Sequence, residues 1–222
     1  MNRKTLFVTL TKQEARLGLG LLVLYWVLPG NLVTAAVLFA ASVVLLRRFL
    51  WESARMPLMP MSQILWKAAL AVLAVQVVTT LMNDLFLPFF PEYFIYGETG
   101  PAFFTVHKAA LAADAGERFL PAFLRAALLV PAAEELLYRG VLFGTLYHRA
   151  GWPSYPVTAL LYALVFTAPL IGAYPVSFVI LHFLQTLPMS MIFCWVYASG
   201  DSIMIPLLAH IVLNAMSVLS MR

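Results

Sequence analysis

Glu134 and Glu135 stand side by side in an apolar stretch, and Arg139 follows four residues after the second. Ionisable side chains are expensive inside a lipid-embedded segment, so three together mark a place where chemistry is done. On a helix Glu135 and Arg139 share a face and form a natural ion pair. Glu134 is turned by about 100° from its neighbour, so Arg139 cannot neutralise both carboxylates equally and Glu134 is the freer base. A carboxylate in a low-dielectric pocket is suited to take a proton from water and return it to a leaving amine. The competing reading is a buried polar network that ties helices together. His210 and Asn214, again four apart, form a second polar pair. Such a pair binds a metal or a water, donates to the oxyanion of a tetrahedral intermediate, or joins helices through hydrogen bonds.

The elements that carry these residues follow from composition. Of 222 residues 63% are hydrophobic and 11% charged, against about a quarter charged in a soluble domain; mean hydropathy is +0.90. The main solvent is lipid. Spans there must be helices, because lipid offers no partners to free backbone groups and the barrel alternation is missing. The predicted fold is all-α, a polytopic transmembrane helix bundle forming one membrane domain over 1–222. Leu17 to Leu46 reads as a tight helical hairpin turning at Pro29-Gly30-Asn31 and stopped by Arg47 and Arg48. Further spans run from about Ser62 to Met82, Phe119 to Tyr147 with Pro131 kinking or dividing it, Ser154 to Gly172, Pro175 to Ser199 and Ser202 to Met221. The count is seven, or eight if the part before Pro131 is separate. Between them, Phe86 to Tyr96 reads as an interfacial aromatic belt and Ala102 to Glu117 as an interfacial or mobile stretch.

The basic residues act as topology signals. Arg3, Lys4, Lys12, Arg16, Arg47, Arg48, Arg55, Lys67 and Arg149 fall on one side of a seven-span chain, predicted cytoplasmic, which puts the N-terminus inside and the C-terminus on the opposite side. The excess of four positive charges therefore implies no nucleic-acid role. The single cysteine, Cys194, excludes an internal disulfide and any Cys-based zinc cluster. Residues 1–16 do not read as a cleaved signal, so the first helix is expected to stay. No internal repeat supports an inverted-repeat transporter. His107 and His148 read as ordinary interfacial histidines.

Glu-Glu-Leu-Leu-Tyr-Arg-Gly at 134–140 resembles the EExxxR motif of the CAAX protease and bacteriocin-processing (CPBP, or Abi) family, and His210 to Asn214 resembles its HxxxN motif. The resemblance covers about Pro131 to Met216, so 131–216 is the family-like catalytic core. It implies a multi-helix intramembrane metalloprotease in which Glu134 activates water with help from the histidine of an FxxxH motif, while His210 and Asn214 complete the site and stabilise the oxyanion. It also implies a divalent metal such as zinc, for which Glu134, His182 and His210 are the donors on offer. No HExxH and no GxSxG occurs, which argues against site-2-type zincins and α/β-hydrolases.

The middle motif departs from the pattern. By spacing it falls at Tyr162-Ala-Leu-Val-Phe166, where the histidine position holds Phe166. The literal pattern returns one helix later as Phe178-Val-Ile-Leu-His182. His182 either supplies the imidazole or is a structural hydrogen bonder near the outer interface. Counting along the helices puts Glu134, Phe166 and His182 all about 20 Å from the cytoplasmic side, and His210 nearer 12 Å. The expected function is an intramembrane endopeptidase acting on a membrane-associated peptide or protein: a lipidated terminus, a leader peptide or a helix of another membrane protein. Glu134, Glu135, Arg139, His182, His210 and Asn214 are its expected site residues. The alternative is a weak or inactive relative serving as a membrane binding, immunity or assembly factor.

Overall fold

The computed structural model describes residues 8–28, 31–55, 60–91 and 119–219. Pro29 and Gly30 of the predicted hairpin turn, the part of the aromatic belt after Pro91, the Ala102 to Glu117 stretch and His107 lie outside the described residues. Those described are helical but for short connections and one isolated bridge, Ile171 to Tyr174. In order they are α1 (Lys12–Val27), α2 (Leu32–Leu45), α3 (Arg47–Arg55), α4 (Met61–Phe86), α5 (119–150), α6 (Ser154–Thr167) with a 3-10 turn (Ala168–Leu170), α7 (Val176–Gly200) and α8 (Met204–Leu219).

Local chemistry sets several boundaries. Thr11 caps α1 in a reciprocal box with Glu14, satisfying N–H groups that would otherwise be orphaned. Glu14 also holds Arg48 of α3 at 2.6 Å, and Arg48 reaches Glu52 and the Thr9 carbonyl. Burial raises the Glu14 carboxyl, but its bonds to Arg48 and Thr11 outweigh this and hold it below the ordinary glutamate range. Leu46 ends α2, and the chain bends by 68° into α3, where the predicted arginine stop stands. Lys67 at the start of α4 donates to the Ser199 carbonyl at the end of α7, 3.2 Å away. These contacts gather the starts of α1 and α4, α3 and the end of α7 at one end of the bundle.

The protein is inside-out relative to a soluble domain. Leu65, Leu73 and Leu81 along α4 are more than half exposed, whereas Glu134, Glu135 and Arg139 are at most 1% exposed. Lipid rewards that arrangement. The interior packs α4 on α7 and α8 through Ala68, Ala71, Phe193 and Ala209, and α1 and α2 on α5 and α6 through Leu22, Leu38, Leu137 and Tyr162. Small residues let helices approach. A Cβ on Gly18 would stand 2.6 Å from a Val141 methyl, so glycine there sets α1 directly on α5. A Cβ on Gly200 would stand 2.1 Å from Ile205, so glycine also permits the tight turn into α8.

The sequence count of seven or eight spans is not reached on length and hydropathy. Among the described residues α4 and α7 qualify, and α2 with α3 makes a third as one bent span. Helices α1 and α8, at 16 residues, rise only about 24 Å against a core of about 30 Å, and α5 carries the three charges.

Candidate active site

Helix α5 is built to expose its own backbone. It alternates between α and π winding, with π turns at Leu124–Leu129 and Glu135–Phe143 on either side of Val130–Glu134. In the first π turn bonds run five residues back, as from the Val130 N–H to the Arg125 carbonyl. The next bond in that ladder would come from residue 131, and proline has no N–H to give. The Ala126 carbonyl is thereby left open, and the Asn214 side-chain amide of α8 donates to it at 2.9 Å. Pro131 thus neither divides nor breaks α5. It creates the acceptor by which α8 grips the helix just before Glu134.

His210 lies one turn before Asn214 on α8 and stands between the two carboxylates. Its Nδ1 is 2.7 Å from Oε1 of Glu135, and its Nε2 is 3.7 Å from Oε2 of Glu134. Glu135 is also paired with Arg139 at 3.1 Å, as its i, i+4 spacing predicts. An ionised carboxylate only accepts, which assigns the proton to Nδ1 and leaves Nε2 toward Glu134. Arg139 donates to Ser190 of α7 at 3.2 Å and lies over the rings of Tyr162 and Phe193. The separation of about 8 Å in depth expected between Glu134 and His210 is closed, because residue counts along the axis ignore helix tilt and side-chain reach.

Glu134 is less free than its spacing from Arg139 suggested. Tyr25 of α1 donates to its Oε1, and Tyr162 of α6 donates to its Oε2 at 3.0 Å. Neither tyrosine, nor Ser190, was singled out from the sequence. A signal existed for the tyrosines: phenols within apolar spans must find an acceptor, and Tyr162 stands four residues before the anomalous Phe166.

His182 is placed differently from the rest. Its ring stacks on Phe166, centroids 5.8 Å apart and planes within 3°, and Phe166 in turn stacks on Tyr162. The structure therefore brings Glu134, Glu135, Arg139 and His210 together, sets Asn214 on the backbone beneath them, and holds His182 behind Phe166. Of the predicted metal donors, Glu134 and Nε2 of His210 face each other at 3.7 Å, while His182 stacks on Phe166. Glu135 and Nδ1 of His210 are committed to each other, the guanidinium of Arg139 already stands beside them, and no group of three His, Cys, Asp or Glu among the described residues is arranged to hold an ion.

Comparison with known proteins bears on the same region. No curated protein and no solved structure matches the chain. Residues 116–216, from just before α5 to the last turns of α8, match the family model described as type II CAAX prenyl endopeptidase Rce1-like. Over those residues the chain is similar to the Rce1-like CAAX protease family, as its EExxxR and HxxxN motifs led one to expect.

Proposed function

We propose that this chain is an intramembrane endopeptidase that hydrolyses a peptide bond of a membrane-associated substrate, with Glu134 activating the water. The observation that carries the reading is the convergence of Glu134 and Glu135 on opposite nitrogens of one buried imidazole. A purely structural network would be satisfied throughout, yet Oε2 of Glu135 and Nε of Arg139 have no hydrogen-bond partner among the described residues.

In the proposed reaction a water enters between Oε2 of Glu134 and Nε2 of His210, both acceptors. Glu134 takes one proton as the water oxygen attacks the scissile carbonyl, and returns it to the leaving amine as the tetrahedral intermediate collapses. Glu135 and Arg139 fix the imidazole tautomer and its orientation. Asn214 keeps one N–H on Ala126 and so locks the depth of α5; the oxyanion role implied for it falls to its other N–H. Glu134 is 1% exposed, so peptide and water enter as helices part.

The family's name points to a prenylated CAAX terminus as the first substrate to try. The proposed topology has seven crossings, α1, α2 with α3, and α4 to α8, with the N-terminus cytoplasmic and the C-terminus opposite. One observation favours the alternative of an inactive binding, immunity or assembly factor: the expected histidine position holds Phe166, stacked between Tyr162 and His182. Mass spectrometry of a prenylated CAAX peptide, a leader peptide and a transmembrane peptide after incubation with purified protein separates the two readings. Cleavage lost in Glu134→Ala and His210→Ala supports the enzyme, and equal product from wild type and Glu134→Ala sinks it.

A further inference from the structure

Four observations meet at Tyr162. It is 1% exposed, and its hydroxyl donates to Oε2 of Glu134, the oxygen that faces Nε2 of His210. The ring is held on three sides: the Arg139 guanidinium lies over it at 4.7 Å, the Tyr138 ring meets it edge-on at 4.8 Å and Phe166 stacks against it at 5.5 Å. Tyr162 and Phe166 are one helical turn apart on α6, so the helix that lacks an imidazole at 166 presents a phenol to the same carboxylate from 162. A donor locked in this way aims the carboxylate without reorganisation during the reaction.

We infer that Tyr162 is the positioning residue of this site: it holds Oε2 of Glu134 toward Nε2 of His210, the task for which α6 offers no histidine. Tyr25, which donates to Oε1, steadies the other oxygen from α1. Tyr162 acts through Glu134 and need not touch substrate. Phe166 then has a positive role, as the plate that keeps the Tyr162 ring from turning.

This inference rests on the peptidase reading, and the experiment separates the two. Full-length protein in proteoliposomes is assayed with an internally quenched prenylated CAAX peptide, comparing wild type, Glu134→Gln, Tyr162→Phe and Tyr25→Phe. Loss of a hydrogen bond to a charged group lowers kcat by about 10–100-fold in Tyr162→Phe. KM stays within about twofold, since transition-state positioning and not ground-state binding is removed, and the variant stays folded at the assay temperature. Tyr25→Phe loses less. The inference is overturned if Tyr162→Phe keeps wild-type kcat while Glu134→Gln is dead, or if its loss of kcat only follows a loss of melting temperature. Activity retained in Glu134→Gln overturns the peptidase reading itself. Should Tyr162→Phe not fold, difluorotyrosine at 162 changes only the phenol, and an unaltered kcat with it overturns the inference.

Discussion

His210 on α8 and Glu135 on α5 are 75 positions apart in sequence and 2.7 Å apart in space. That contact joins the two motifs into one cluster, and Arg139 balances it by meeting the same Glu135 oxygen, Oε1, at 3.1 Å.

Removing the balancing charge is expected to damage the fold more than the geometry. Arg139→Met leaves Glu135 buried without its cation, which costs about 3–5 kcal/mol. Thermal unfolding in detergent should show it as a large drop in melting temperature. Arg139→Met melting like wild type would mean that the ion pair does not hold the cluster.

The grip of Asn214 on α5 gives a prediction with its own rescue. Asn214→Leu leaves the Ala126 carbonyl unsatisfied and costs about 1–3 kcal/mol. Pro131→Ala restores an N–H to the ladder at the point where that carbonyl waits, so the double variant should lose less than the sum of the singles. Strict additivity in a double-mutant cycle would contradict the account.

His182→Phe keeps the stack on Phe166 and removes the ring nitrogens. Cleavage within about threefold of wild type is expected, because only interactions made in the transition state change kcat and kcat/KM together. A collapse to the level of Glu134→Gln would place this imidazole in the chemistry.

Outside the spans, Asp201 turns α7 into α8 with φ of 50°, and burial pushes its carboxyl up from 3.8 to about 6. A raised carboxylate favours the folded state when protonated, so its contribution is full below 3.8 and is lost as pH rises through 6. Asp201→Asn keeps a residue that tolerates the left-handed region and removes the titration. It should match wild type near pH 4 and be more stable at pH 8, by about 1 kcal/mol after solvent screening. Equal melting temperatures at pH 8 would show that the carboxylate is not penalised there.

The sequence made the helical class, most helix boundaries and the Glu135–Arg139 pair legible, because lipid forces helices and i, i+4 spacing is local. Depth counting failed for His210, since no local rule carries helix tilt. The two phenols on Glu134 were missed because a tyrosine in an apolar run announces that it needs an acceptor without saying which. Pro131 was read as a kink or a divider, and its actual role depends on π winding, for which the sequence has no plain signal. The number of membrane crossings was read from apolar runs, and α6, at Ser154–Thr167, proved shorter as a helix than its run.

Whether Glu134 activates the water is decided by the fate of the water's oxygen in the wild type and in Glu134→Gln. Wild type and Glu134→Gln, in proteoliposomes of the same composition, are given a prenylated CAAX peptide in 18O-water and the products are read by mass spectrometry. Wild type is expected to make a single cleavage, with 18O in the new carboxylate, and a Glu134→Gln protein that melts at an unchanged temperature is expected to give no product. The same labelled product formed at a comparable rate by folded Glu134→Gln would contradict that role for Glu134.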